Sequence, residues 1–383
     1  MALTPSTRSD IAPFYVMEVM RSAADRENAG KEVLHLEVGQ PSTPAPSGAR
    51  RNAIEAIEND ILGYTSALGM DSLRERLHHH YLEWYDTDIP SSRIAITMGA
   101  SGAFTLAFLA CFEPGDRVVV PTPGYPCYRN VLRALDVEVV DLPVGPDTRF
   151  QPSPDGLESI GPIDGLVVAS PSNPTGTMLL EDELAELVQW CKKNEVRLIS
   201  DEIYHGVTYG NVAPTAASYW EEAVVVNSFS KYFSMTGWRV GWLVLPHTLV
   251  SPVERLAQNA FIAAASVSQH AALGAFDSHD ELQLNLERYS VNRKVLLEGL
   301  PRAGIMELAP ADGAFYVWAQ VDHLCEDSQE LAQEWLNELG IAVTPGIDFD
   351  PEQGHRFIRF SFAGSTQETR DTVEKLVQWS ANR

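Results

Sequence analysis

From residue 94 onward, short runs rich in Val and Ile alternate with segments whose apolar residues recur every three or four positions. The first pattern predicts strands buried on both faces and the second predicts amphipathic helices. Their alternation predicts a mainly parallel sheet with helices on both sides. The strand-like runs fall at 94–98, 117–121, 137–142, 165–170, 196–201, 224–227 and 240–245, which makes seven. Leu184, Leu187, Val188 and Cys191 form the apolar stripe of an intervening helix over 181–193. Ahead of the sheet, the pattern predicts a helix over 11–21 with Pro13 in its first turn, a short strand over 33–38 and a helix over 48–59. A further helix starts at Asp71, with Leu73, Leu77, Tyr81 and Trp84 on its inner face. Behind the sheet come a long helix through 289–300 and a smaller α+β part. Its strands are expected near 315–319, 341–344 and 356–362, and its helices near 328–339 and 367–379.

Composition narrows the classes of function. With 28 basic and 52 acidic residues the formal charge is −24, which opposes a nucleic-acid role because phosphate backbones require a positive field. No apolar run reaches 18 residues and residues 1–10 lack the apolar core of a signal peptide, so the expectation is a cytoplasmic protein with no membrane partner. Cys111, Cys127, Cys191 and Cys325 show no CxxC spacing, so neither a zinc site nor a disulfide framework is expected. His78, His79 and His80 are consecutive on a predicted helix and diverge around it, which reads as a surface cluster rather than a metal site.

In an open α/β sheet, the loops after the strands share one crevice. Gly99, Ala100 and Ser101 follow the first run and open a helix expected over 103–112, where free N–H groups favour phosphate. Tyr125 follows the second run, and Asn173 lies in the Pro-rich loop after the fourth. The fifth run ends in Asp201, a carboxylate that its own apolar strand carries inward, with Tyr204 three residues on. Buried carboxylates need a cation or hydrogen bonds. The sixth run brings Ser228, Ser230 and Lys231, with Arg239 eight residues beyond Lys231. A lone lysine in a polar turn is ordinarily a solvated side chain. Lys231 instead keeps company with a phosphate-binding turn, an aromatic, an amide, a carboxylate, a phenol and a guanidinium. That set suits a lysine holding a cofactor aldehyde as a Schiff base.

Together, residues 170–176, 200–204 and 228–241, with Leu36–Pro41 and Phe357–Ser361 at the two ends, resemble the class I/II aminotransferases of pyridoxal phosphate fold type I. The resemblance implies that Lys231 carries pyridoxal 5'-phosphate and shuttles the substrate proton, with Asp201 on the pyridinium nitrogen. It places Asn173 and Tyr204 on the ring oxygen and Tyr125 stacked on the ring. The phosphate falls to the N–H groups around Gly99, Ala100 and Ser101, to Ser228 and Ser230, and to Arg239. It also implies Arg359 as the clamp for the substrate α-carboxylate, assisted by Asn173 and near Gly39. Tyr64 is implied to reach the phosphate of a partner subunit in a homodimer with shared sites. The expected division is 1–45 as a segment packing with the small domain, 46–288 as the large cofactor-binding domain and 289–383 as the small domain.

The implied reaction is ping-pong transfer of an amino group from an L-amino acid to a 2-oxo acid, most often 2-oxoglutarate. Members specific for aspartate often add a second basic residue for the side-chain carboxylate. Here Ser101-Gly102-Ala103 and residues 258–266 supply none, which favours neutral or aromatic donors over acidic ones. A β-elimination lyase uses the same lysine and is the alternative. A non-catalytic pyridoxal-phosphate-binding regulator fits less well, because Lys231 and Asp201 are both present.

Overall fold

The computed structural model describes residues 3–382. Residues 1, 2 and 383, at the outer ends of the expected amino-terminal segment and small domain, lie outside the described residues. In chain order the strands are β1 (Leu34–His35), β2 (Ile94–Thr97), β3 (Arg117–Thr122), β4 (Glu138–Pro143), β5 (Gly165–Ala169) and β6 (Arg197–Asp201). They continue with β7 (Val224–Ser228), β8 (Gly241–Val244), β9 (Tyr316–Gln320), β10 (Ile341–Ala342), β11 (Thr344–Pro345) and β12 (Phe357–Ser361).

Seven of these form one sheet in the order β2-β8-β7-β6-β5-β3-β4. Each predicted run becomes one of its strands, with ends shifted by no more than a residue. The sheet is parallel except at β8, which runs antiparallel to both β2 and β7. Val224, Val225 and Val226 are fully buried, as are Val118, Val119 and Val120. Burial on both faces is why these strands lack polar alternation.

Register sets the level of the crevice. Ala169 pairs with Asp201, and Asp201 with Val226, so the loops after β5, β6 and β7 leave the sheet side by side. The antiparallel β8 begins opposite the end of β2, with Gly241 paired to Thr97. That reversal carries Arg239, just before β8, to the turn after β2.

Four helices precede or follow the first strands: α1 (Tyr15–Asn28), α2 (Ser47–Asn59), α3 (Asp71–Tyr85) and α4 (Gly99–Cys111). Two differ from expectation. Helix α1 begins at Tyr15 rather than residue 11, because Asp348 accepts the Tyr15 and Val16 N–H groups at 3.0 and 3.3 Å and fixes the first turn there. Helix α4 begins at Gly99, four residues earlier than the apolar stretch suggested, so the small residues are its first turn rather than a loop. The expected strand over 33–38 shrinks to β1, which pairs in parallel with β10 and joins the amino-terminal segment to the carboxyl-terminal part. There β9, β12 and β11 form a three-stranded antiparallel sheet. The helix His279–Gly299 runs continuously through position 288.

The histidine cluster also needs correction. His80 is buried, with its ring 4.4 Å from that of Trp84. Positions 78–80 fan around the helix, and the third lands on the core face beside Leu77 and Tyr81. Burial, with Arg76 nearby, lowers its pKa to about 3 and holds it neutral.

Candidate active site

A cavity of about 590 Å³ lies at the carboxyl ends of β5, β6 and β7. Gly39, Ala100, Ser101, Tyr125, Asn173, Tyr204, Ser228, Ser230, Lys231, Arg239 and Arg359 all line it. Asp201 lies beneath, fully buried at the end of β6.

Lys231 follows the last residue of β7 by three and donates from Nζ to the carbonyl of Gly39 at 2.7 Å. Burial lowers its pKa from the usual 10.5 to about 8; Arg359 and Arg239 add to the shift and Asp201 opposes it. An amine so placed keeps a substantial nucleophilic fraction near neutral pH and is mostly free amine above about pH 8. Asp201 is pinned from two sides, its Oδ1 accepting from Ile203 N–H at 3.1 Å and its Oδ2 from the Tyr128 hydroxyl. Burial raises its pKa to about 6 despite those bonds. A cation placed against it reverses that shift, which is the environment a protonated pyridine nitrogen requires.

The phosphate-type corner is built from backbone. Gly99 begins α4 with φ +70°, and Ala100 and Ser101, in a first turn whose N–H groups have no partner within the helix, line the cavity. A Cβ on Gly99 would stand 2.5 Å from an Arg239 guanidinium nitrogen, so only glycine lets the guanidinium settle against this turn. Arg239 itself holds φ 51° and donates to the Thr236 carbonyl at 2.9 Å. Ser228 Oγ donates toward Ser230 Oγ at 2.9 Å and accepts from Ser230 N–H at 3.1 Å, which sets both hydroxyls at the same edge. This donor set fits a phosphate ester, and with Asp201 and Lys231 it fits pyridoxal 5'-phosphate as a whole.

Opposite, on β12, Arg359 is buried. It donates to Asn173 Oδ1 at 2.9 Å, to Thr344 Oγ1 at 3.2 Å and to the Glu37 carbonyl. Its guanidinium also lies 4.5 Å from the centre of the Tyr316 ring and 4.7 Å from that of Phe349. Among the described residues the Nε of this buried arginine has no hydrogen-bond partner. Such a fork suits a carboxylate.

Tyr64 alone among the expected residues stands apart from the cavity, exposed to 83%. Two residues escaped the sequence reading. Tyr128 lies one helical turn after Tyr125, a spacing that could have pointed to a shared face, whereas Tyr316 sits inside a strand and reads as core. The amino-terminal segment supplies Phe14, Val16, Met17 and Val38 to the cavity wall. These positions carried no recognisable chemistry.

The family model for aminotransferase class I and II matches residues 31–376. The chain is 46% identical over 378 residues to the valine–pyruvate aminotransferase of Mycobacterium tuberculosis, covering 97% of each protein. It is 31% identical over 371 residues to the (5-formylfuran-3-yl)methyl phosphate transaminase of Methanocaldococcus jannaschii, covering 96% of each. Its fold matches a crystal structure of an aminotransferase from Mycobacterium tuberculosis with a TM-score of 0.98 at 45% identity, over the whole of both chains. Aspartate aminotransferase from Thermus thermophilus with maleate matches at 0.93 and 28% identity, over 98% of this chain and 100% of that one. The chain therefore belongs to the class I and II aminotransferases, and it is a transaminase dependent on pyridoxal phosphate.

Proposed function

We propose that this transaminase takes its amino group from a neutral L-amino acid with an apolar side chain and passes it to a small neutral 2-oxo acid such as pyruvate. The observation that carries this reading is the wall formed by Phe14, Val16, Met17 and Val38. Among the described residues the cations lining the cavity are Lys231, Arg239 and Arg359, and each already has a place in the reaction below. An acidic side chain against that wall would lose its water and gain no partner. A ping-pong cycle uses one pocket for donor and acceptor alike, so the wall disfavours 2-oxoglutarate for the same reason. The valine–pyruvate activity named for the Mycobacterium tuberculosis relative supports this choice.

When bound, pyridoxal phosphate supplies an electron-accepting ring for the charge left on the substrate Cα. Lys231 Nζ would take the proton from the substrate Cα as base and, as acid, deliver it to the cofactor's C4′, on the far side of the amino nitrogen. Asp201, held by Tyr128 and Ile203, keeps the ring nitrogen protonated. Tyr204 and Asn173 would donate to the ring oxygen, and Tyr125 would cover the ring. The first turn of α4, Ser228, Ser230 and Arg239 hold the phosphate. Arg359 and Asn173 orient the α-carboxylate beside Gly39. Residues 46–288 form the cofactor-binding body, against which 1–45 and 289–383 pack as one unit. Tyr64, exposed in one copy, reaches the phosphate site of a second, which makes the working unit a homodimer.

The test is a single-turnover panel without acceptor, following conversion of the cofactor to pyridoxamine phosphate. L-Valine is expected to exceed L-aspartate in rate divided by apparent dissociation constant by about a hundredfold. Equal efficiency with L-aspartate overturns the assignment, and sustained ammonia release in place of one stoichiometric conversion overturns transfer in favour of elimination.

A further inference from the structure

Tyr316, on β9, touches three functional groups of the cavity at once. Its hydroxyl lies 2.7 Å from that of Tyr204. Its ring packs under the Arg359 guanidinium at 4.5 Å. Its Oη fills the space a Cβ on Gly39 would take, at 1.8 Å from that position. The ring is buried to 1% exposure and meets Tyr204 edge-on at 5.7 Å, so packing fixes it from several sides.

A phenol has one proton to donate. If Tyr204 gives its proton to Tyr316, none is left for a group in the cavity, and the Tyr316 proton has no acceptor among the described residues. The reverse arrangement satisfies both. Tyr316 donates to Tyr204, and the Tyr204 proton points into the cavity. Burial pushes both phenols above their usual range, and the neighbouring Arg359 partly offsets this at each. Chains of hydrogen bonds polarise one another in a buried setting, so the second donor strengthens the first. The other charged or titratable groups around the pair are Lys231, whose Nζ lies 5.6 Å from the Tyr204 ring, with Asp201 and Tyr125.

We propose that Tyr316 is a positioning residue that donates its hydroxyl proton to Tyr204, orienting and strengthening the Tyr204 donation to the cofactor's ring oxygen. The relay rests on the placement of Tyr204 at that oxygen. Because a donor there favours the deprotonated form of the cofactor's linkage to Lys231, losing it raises the pH midpoint of the holoenzyme's near-visible absorbance.

The experiment titrates that absorbance in the wild-type holoenzyme, Tyr204→Phe, Tyr316→Phe and the double variant, each checked for cofactor content and near-ultraviolet circular dichroism. Phenylalanine preserves the packed rings. The midpoint is expected to rise by about one unit in Tyr204→Phe. Tyr316→Phe is expected to raise it by about half a unit, with no further rise when the two are combined. A raised midpoint in Tyr204→Phe with none in Tyr316→Phe overturns the relay. A second, additive rise in the double variant does the same, because Tyr316 then acts by another route. An unchanged midpoint in Tyr204→Phe overturns the placement of Tyr204 instead.

Discussion

The Lys231 ammonium would have to share a buried cavity with Arg359 and Arg239, and the cost of that arrangement appears as a pKa of about 8. Below that pH the amine is protonated and unreactive toward an aldehyde; above it the free amine dominates. Capture of pyridoxal phosphate by the apoenzyme should therefore quicken about tenfold per pH unit up to about 8 and level off above. Stopped-flow absorbance reads this directly, and a rate still climbing tenfold per unit at pH 10 would mean an ordinary lysine. At this scale the chain was legible where chemistry follows a strand end. Asp201, Lys231 and Asn173 announce themselves because their strands are plain and the loops must share a crevice. Arg359 was placed only through the family resemblance. Tyr128 and Tyr316 were hidden, since a tyrosine on an apolar helix or strand looks like core until its hydroxyl is seen to meet Asp201 or Tyr204.

Among elements, the strands of the large sheet were readable because burial on both faces leaves an unbroken apolar run. The reversed direction of β8 was not readable, although it is what brings Arg239 to Gly99. Helix starts depended on tertiary contacts, and α1 shows why. Its first N–H groups have no partner within the helix. Asp348, more than 300 residues later, supplies both acceptors, and nothing near residue 15 signals this. The same contact fixes the wall that carries Phe14, Val16 and Met17. Asp348→Ala removes a helix-end acceptor of about 1 kcal/mol. The expected outcome is a rise of about fivefold in apparent KM for L-valine, with a smaller rise for L-alanine, whose side chain reaches the wall less. Asp348→Asn keeps one acceptor oxygen and should recover most of the loss. Steady-state kinetics on the two donors checks this, and an equal change for both would show that Asp348 does not act through the wall.

On the scale of the whole molecule, one surface conflicts with a net charge of −24. Ile54, Ile57, Ile61 and Tyr64 are exposed to 56, 61, 96 and 83% along the outer side of α2 and the segment after it. The inner side of α2, with Ala49, Ala53 and Ala56, is already buried. Several large apolar residues exposed along one stretch of a charged surface point to an interaction site. Here the expected occupant is a second copy, because Tyr64 lies in the same stretch and does not line its own cavity. Ile57→Glu combined with Ile61→Glu places charge in that contact and should convert a dimer to a monomer by light scattering. If Tyr64 completes the partner's phosphate site as proposed, the monomer should also retain pyridoxal phosphate poorly. Tyr64→Phe separates the two effects: it should stay dimeric while losing about tenfold in cofactor affinity, the cost of one hydrogen bond to a charged group. A wild-type chain that is monomeric at assay concentration and fully active, or a double glutamate variant of unchanged mass, rules out this face as the subunit contact.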